Sequence, residues 1–128
     1  MGTFYATCAL QNPAERERST VVAKLIVDTG SEATWVPAVA LERVGIQREP
    51  KSITFVMANG RRVTRDVGFA IVRLDRYFTT DEIVFAEPGD LALLGAHTLE
   101  GLNLTVDARR RRLLTAPSFP PAALGTAT

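Results

Sequence analysis

Apolar residues in this chain recur with a period of two, in short runs cut by turn-forming residues. Thr3 to Leu10 and Val21 to Val27 alternate in this way on either side of a polar loop, Gln11 to Thr20, which holds Asn12-Pro13 and the charged Glu15-Arg16-Glu17-Arg18. Period two is the side-chain spacing of a strand, so these segments predict strands rather than helices. Ala33 to Val36 reads as a short strand stopped by Pro37, and Ala38 to Val44 as one or two helical turns ended by Gly45. Ser52 to Met57 runs into Asn59-Gly60 before Val63 to Leu74 resumes the extended pattern. Asn-Gly between two such runs predicts a tight type I′ hairpin, in which both central residues take positive φ. Gly68, inside the return strand, marks a bulge or a close backbone approach. Asp81 to Phe85, Leu91 to Leu94, Leu104 to Val106 and Arg112 to Thr115 complete the strands, with a short helix over Ala96 to Leu102. About nine short strands at regular spacing argue for an all-β barrel or sandwich.

Composition narrows the classes. A chain of 128 residues makes one domain and buries roughly two-thirds of the surface its unfolded form exposes. The net charge of +1 supplies no general pull toward nucleic acid or an anionic membrane. The longest apolar run, Val21 to Val27, is interrupted by Lys24 and falls far below the ~20 residues of a membrane span. Met1 to Leu10 lacks the charged start and apolar stretch of a signal peptide, and Cys8 has no second cysteine to pair with. A reducing, cytoplasmic setting is expected. Lys24 and Lys51 are the only lysines among 15 basic residues, an arginine bias that hints at a GC-rich bacterial genome. The domain is placed at residues 1–115 and a flexible, proline-bearing tail at 116–128.

One feature carries chemistry. The apolar strand Leu25-Ile26-Val27 ends on a carboxylate, Asp28, followed by Thr29, Gly30 and Ser31. A charge at the edge of a core is costly unless it has a partner or a chemical task. Trp35-Val36-Pro37 follows shortly, and Leu93-Leu94-Gly95 later repeats the apolar-apolar-Gly arrangement before a helix.

Taken together these pieces, in this order and spacing, resemble the retropepsin-like (retroviral-type, single-domain) aspartic proteases over Thr3 to Thr115. The resemblance implies an all-β, closed acid-protease-like barrel with a flap hairpin and one short C-terminal helix, working as a homodimer. It implies an aspartic endopeptidase without cofactor or metal, in which Asp28 of each subunit contributes one carboxylate to a pair that activates water. Two carboxyls at ~3 Å cannot both ionise, so they share one proton and divide the roles of acid and base. Asp66, Asp75, Asp81, Asp90 and Asp107 offer no second loop of this kind; Asp66-Val67-Gly68 comes nearest and lacks the hydroxyl and the lead-in strand. A second identical chain is therefore the expected source of the partner.

By the same resemblance Thr29 hydrogen-bonds across the dimer and holds the two loops. Gly30 admits close backbone approach and aims its N–H at the carboxylate. Ser31 either donates to the outer oxygen of Asp28 or bonds its own backbone as a turn hydroxyl. Val56, Met57, Ala58, Asn59 and Gly60 form the flap that covers an extended peptide, Trp35 is a core anchor, and Leu94 and Gly95 support the site. Pepsins carry a flap tyrosine that reaches the tryptophan; here the flap offers only Phe55, and Arg61 and Arg62 follow its tip.

Two other classes compete. One is a catalytically weak or inactive dimeric module that binds peptides on the same fold. The other is a basic interaction protein using Arg109 to Arg112, which near-neutral net charge and the absence of interleaved aromatics disfavour. His97, the only histidine, makes a metal cluster improbable and is expected in a capping or exposed role. Glu32 is expected at the surface or in an ion pair at the dimer seam.

Overall fold

A computed structural model describes residues 3–116. The tail expected over 116–128 lies outside the described residues from 117 onward. The strands are β1 (Tyr5–Gln11), β2 (Ser19–Val27), β3 (Thr34–Pro37), β4 (Ser52–Val56), β5 (Arg62–Leu74), β6 (Tyr77–Ala86), β7 (Leu93–Leu94), β8 (Leu104–Asp107) and β9 (Arg112–Thr115). Two one-turn helices, α1 (Ala38–Arg43) and α2 (Ala96–Gly101), interrupt them.

Seven strands form one mixed sheet in the order β1-β2-β7-β3-β6-β5-β4, and β8 and β9 form a separate antiparallel ribbon. β2 pairs with β7, and β3 with β6, in parallel; the longer pairings are antiparallel. The closed, all-β acid-protease-like barrel is corrected by this topology. The sheet runs out at β4, which pairs only with β5. It curls far enough for Ala9 to Gln11 of β1 to meet Ile71 to Arg73 of β5. Closure requires strands of matched length and stagger around the whole ring. Here β7 spans two residues, and the β4–β5 hairpin projects beyond the curl. The resemblance implied one short C-terminal helix; α2 is followed by β8 and β9, and the helical turns expected over Ala38 to Val44 form as α1.

A bulge shapes the strand that leads to Asp28. The register between β1 and β2 slips between Ala6/Leu25 and Cys8/Val22, where Lys24 adopts φ 62°. Two residues of β2 there oppose one of β1, which bends the strand and puts Val22 and Leu25 on the same buried side. Without that extra residue, alternation would turn Leu25 outward.

The core has two compartments. Leu10, Leu25, Leu41, Val72, Ile83, Phe85, Leu94 and Leu102 belong to the larger one, and Trp35, Val67, Val84 and Ala86 to the smaller, beneath the β4–β5 hairpin. β6 serves both: Ile83 and Phe85 face the larger compartment while Val84 and Ala86 face the smaller. A strand covered on both faces needs a continuous apolar run, which Ile83-Val84-Phe85-Ala86 supplies. Gly68 is a close approach rather than a bulge, since a Cβ there would lie 2.7 Å from the carbonyl oxygen of Gln47, with the β5–β6 register unbroken.

The hairpin turn differs from the type I′ expectation. Met57 N–H donates to the Arg61 carbonyl, Gly60 N–H to the Met57 carbonyl, and Gly60 alone of the central residues has positive φ, at 82°. That is a type I turn followed by a glycine bulge. The Asn59 side chain, accepting from Arg61 N–H at 2.9 Å, favours this wider loop.

Cys8 is buried in the larger compartment, and burial pushes its thiol up to about 11. A thiol that is both covered and protonated is a poor nucleophile. Ellman's reagent at pH 8 should label Cys8 only after denaturation; prompt labelling of the folded protein would contradict this placement.

Candidate functional site

The Asp28 loop is held by its neighbour in the sheet. Val27 pairs with Leu94 in parallel, and Asp28 N–H continues the ladder by donating to the Leu94 carbonyl at 3.0 Å. The chain then turns sharply: Ser31 N–H donates to the Asp28 carbonyl at 3.2 Å, and Gly30 N–H to Asp28 Oδ1 at 2.9 Å. Ser31 Oγ donates to the Ala33 carbonyl at 2.8 Å, which is the turn-hydroxyl arrangement, not the bond to Asp28. Thr29 and Gly30 are exposed, and Asp28 and Ser31 half-buried.

The start of α2 grips the far side of the loop. Ala96 N–H donates to the Ser31 carbonyl at 2.7 Å and His97 N–H to the Glu32 carbonyl at 3.1 Å. Gly95 is required there because a Cβ would sit 2.3 Å from the Ala33 carbonyl oxygen. Its N–H donates to Thr34 Oγ1 at 2.9 Å.

Behind Gly95 lies a polar network that local patterning did not reveal. The hydroxyls of Thr34 and Thr98, both fully buried, bond each other, and Thr98 Oγ1 donates to Asp81 Oδ2 at 2.8 Å. Asp81 Oδ1 accepts from His97 Nδ1–H at 2.9 Å and from Glu82 N–H at 2.7 Å. Because Thr98 gives its proton to Asp81, Thr34 must give its own to Thr98 and receive from Gly95. Every buried side-chain polar atom among the described residues is satisfied in this way. His97 is exposed, as expected, but its ring is also tied to a buried carboxylate.

The hairpin is pinned at its base and free at its tip. Trp35 packs against Phe55 as a tilted pair with ring centroids 4.7 Å apart, so Phe55 reaches the tryptophan in the absence of a flap tyrosine. Arg65 of β5 makes a two-pronged bond to Asp90, at 2.7 and 2.9 Å, and its guanidinium holds that carboxyl below the usual range. Val56 and Met57 are exposed at 68% and 40%, and Ala58, Asn59 and Gly60 are exposed as well. Among the described residues no hydrogen bond joins Val56–Gly60 to the Asp28–Ser31 loop.

Of the pair implied by the resemblance, this chain supplies one carboxylate among the described residues, that of Asp28. Among the described residues the Asp28 carboxylate accepts one hydrogen bond, from the Gly30 amide. Asp66, Asp81, Asp90 and Asp107 are committed elsewhere, to Arg48, to His97 and Thr98, to Arg65 and to Arg110. Without the closed barrel that the resemblance implied around the site, the expectation of an aspartic endopeptidase is corrected. No three His, Cys, Asp or Glu side chains gather as a metal site among the described residues. Two surface grooves, of about 540 and 470 Å³, are lined by Asn12, Arg18 and Phe69 and by Pro37, Val39 and Pro88 respectively, and neither includes the Asp28 loop. No protein-family model matches the chain, nor does any curated protein.

Replacing Gly95 with alanine drives a Cβ into backbone that cannot step aside. Overpacking of this kind costs about 1–3 kcal/mol. Urea unfolding of Gly95→Ala should show that loss, and an unchanged midpoint would contradict the close packing of α2 on the loop.

Proposed function

We propose that the chain is a peptide-binding module that works as a homodimer and takes an extended segment of a protein partner along the open edge of β4, without hydrolysing it. One observation carries this reading. The Met57–Arg61 bond sets the phase of the β4–β5 ladder, so the paired residues Phe55/Val63 and Ile53/Arg65 exchange main-chain hydrogen bonds. The N–H and C=O groups of Ser52, Thr54 and Val56 are then directed away from β5, toward the free edge. Such an edge is a template for strand addition unless proline, a bulge or charge blunts it. β4 itself contains none of these; Pro50 and Lys51 lie just before it and bound the docking edge at Ser52.

The side chains suit an apolar segment with acidic residues. Val56 and Met57 expose apolar surface near the tip, and Arg61 and Arg62 are exposed there without a carboxylate partner among the described residues. No described helix is long and apolar enough to cross a membrane. The homodimer is supported by the Asp28-Thr29-Gly30-Ser31 resemblance, kept here as a proposed kinship, and by an exposed Thr29 hydroxyl with no partner within the chain among the described residues.

Thr54→Pro tests the strand addition. Its N–H is outside the β4–β5 ladder, so the fold should persist while an edge donor disappears. Anisotropy with labelled extended peptides bearing apolar and acidic residues should show binding to the wild type, weakened about tenfold or more by Thr54→Pro with the circular dichroism unchanged. Equal affinity in the variant would remove β4 as the docking edge. Mass spectrometry should recover the peptide intact, and cleavage would overturn the binding-only reading.

Thr29→Val tests the dimer. An inter-subunit hydrogen bond lost there leaves its partner unsatisfied, at a cost of about 1–3 kcal/mol. Sedimentation equilibrium should find a dimer weakened correspondingly by the variant; a wild type that stays monomeric at every concentration sinks the assembly.

A further inference from the structure

The chain of bonds from His97 to Gly95 links an exposed titratable ring to the loop that carries Asp28. It has a single direction: Gly95 N–H to Thr34, Thr34 to Thr98, Thr98 to Asp81, with His97 donating to the same carboxylate from the solvent side. Gly95 lies between Leu94, whose carbonyl holds Asp28 N–H, and Ala96, whose N–H holds Ser31. His97 also grips the loop directly, through its own N–H on the Glu32 carbonyl.

We propose that His97 is a pH-responsive positioning residue for the Asp28–Ala33 loop, acting through Asp81, Thr98, Thr34 and Gly95. When the imidazole is charged, its bond to Asp81 is charge-assisted on both sides and the carboxylate is fixed against the Thr98 hydroxyl. When the imidazole loses its charge, that anchor weakens. Asp81 is then free to reorient toward its remaining donors, and the buried hydroxyls and Gly95 follow it. Such networks couple strongly because Thr34 and Thr98 are fully buried, where the low local dielectric strengthens each bond and makes an unpaired group costly.

The groups facing the ring all favour the charged form. They are Asp81 from β6, Glu100 from α2 and Glu32 from the loop after β2, and the hydrogen bond and charge of Asp81 lead in raising His97 above its ordinary value. A raised value means that the clamp is complete below about pH 6.5, where even a free histidine is protonated, and fades as pH climbs through the higher folded-state value. The ring is 75% exposed, so replacing it leaves the core untouched.

Amide NMR across pH 5 to 9 tests the relay without any bound peptide, so the outcome is independent of whether β4 takes one. In the wild type, the Gly95 and Gly30 amides should shift with the midpoint of the His97 ring. In His97→Gln, which can donate one neutral bond to Asp81, both titrations should vanish. Thr34→Val cuts the chain in its middle: the ring should still titrate, while Gly30 no longer follows. Amides that titrate unchanged in His97→Gln would assign the effect to another group. A Gly30 response that persists in Thr34→Val would replace the relay with a through-space field, and either result overturns the proposal.

Discussion

The short parallel contact between the end of β2 and β7 holds the rest in place. Two residue pairs, Ile26/Leu93 and Val27/Leu94, with the Asp28–Leu94 bond beyond them, join the first half of the sheet to the second. β3 lies on the other side of β7, through Trp35 and Leu93. So small a ladder would be weak alone. It is reinforced by burial of Leu94, by the bonds from Ala96 and His97 to the loop, and by the absence of any side chain on Gly95. The carboxylate of Asp28 is therefore displayed by backbone fixed on two sides.

That arrangement explains why a fully paired polar network lies under an otherwise apolar seam. Gly95 brings its N–H into a place water does not reach, and a buried donor without an acceptor costs more than the bond itself contributes. Thr34 answers that donor, Thr98 answers Thr34, and Asp81 supplies the acceptor at the end. A chain of neutral hydroxyls would end in an unmatched proton, whereas a carboxylate only accepts. The solvent-side histidine then donates to the same carboxylate from the outside.

The sequence showed much of the strand inventory because period two is a local property. It located the loop ending β2, the Asn59-Gly60 turn and both helices for the same reason. β6 starts earlier than the pattern suggested, since the two-residue link Asp75-Arg76 carries no glycine or proline; Asp75 takes φ 55° itself, which its short polar side chain tolerates. The bulge at Lys24 left no signature beyond a lysine in an apolar run. Closure of the sheet was carried by resemblance alone, and the open edge at β4 corrects it. Asp81 and His97 are 16 residues apart, on different elements, so no local reading could join them.

The anchoring of the hairpin has a mechanical corollary. Trp35 against Phe55 and Arg65 against Asp90 clamp the ribbon near its root, and beyond them Val56 to Arg62 project with few attachments. The ribbon is a cantilever whose bending is concentrated past Phe55, while the inner half of β4 stays rigid. A visiting strand that zips from Ser52 outward would meet stiff backbone first and compliant backbone last. Its ordering cost falls only on the final few residues, and release would begin by peeling at the tip.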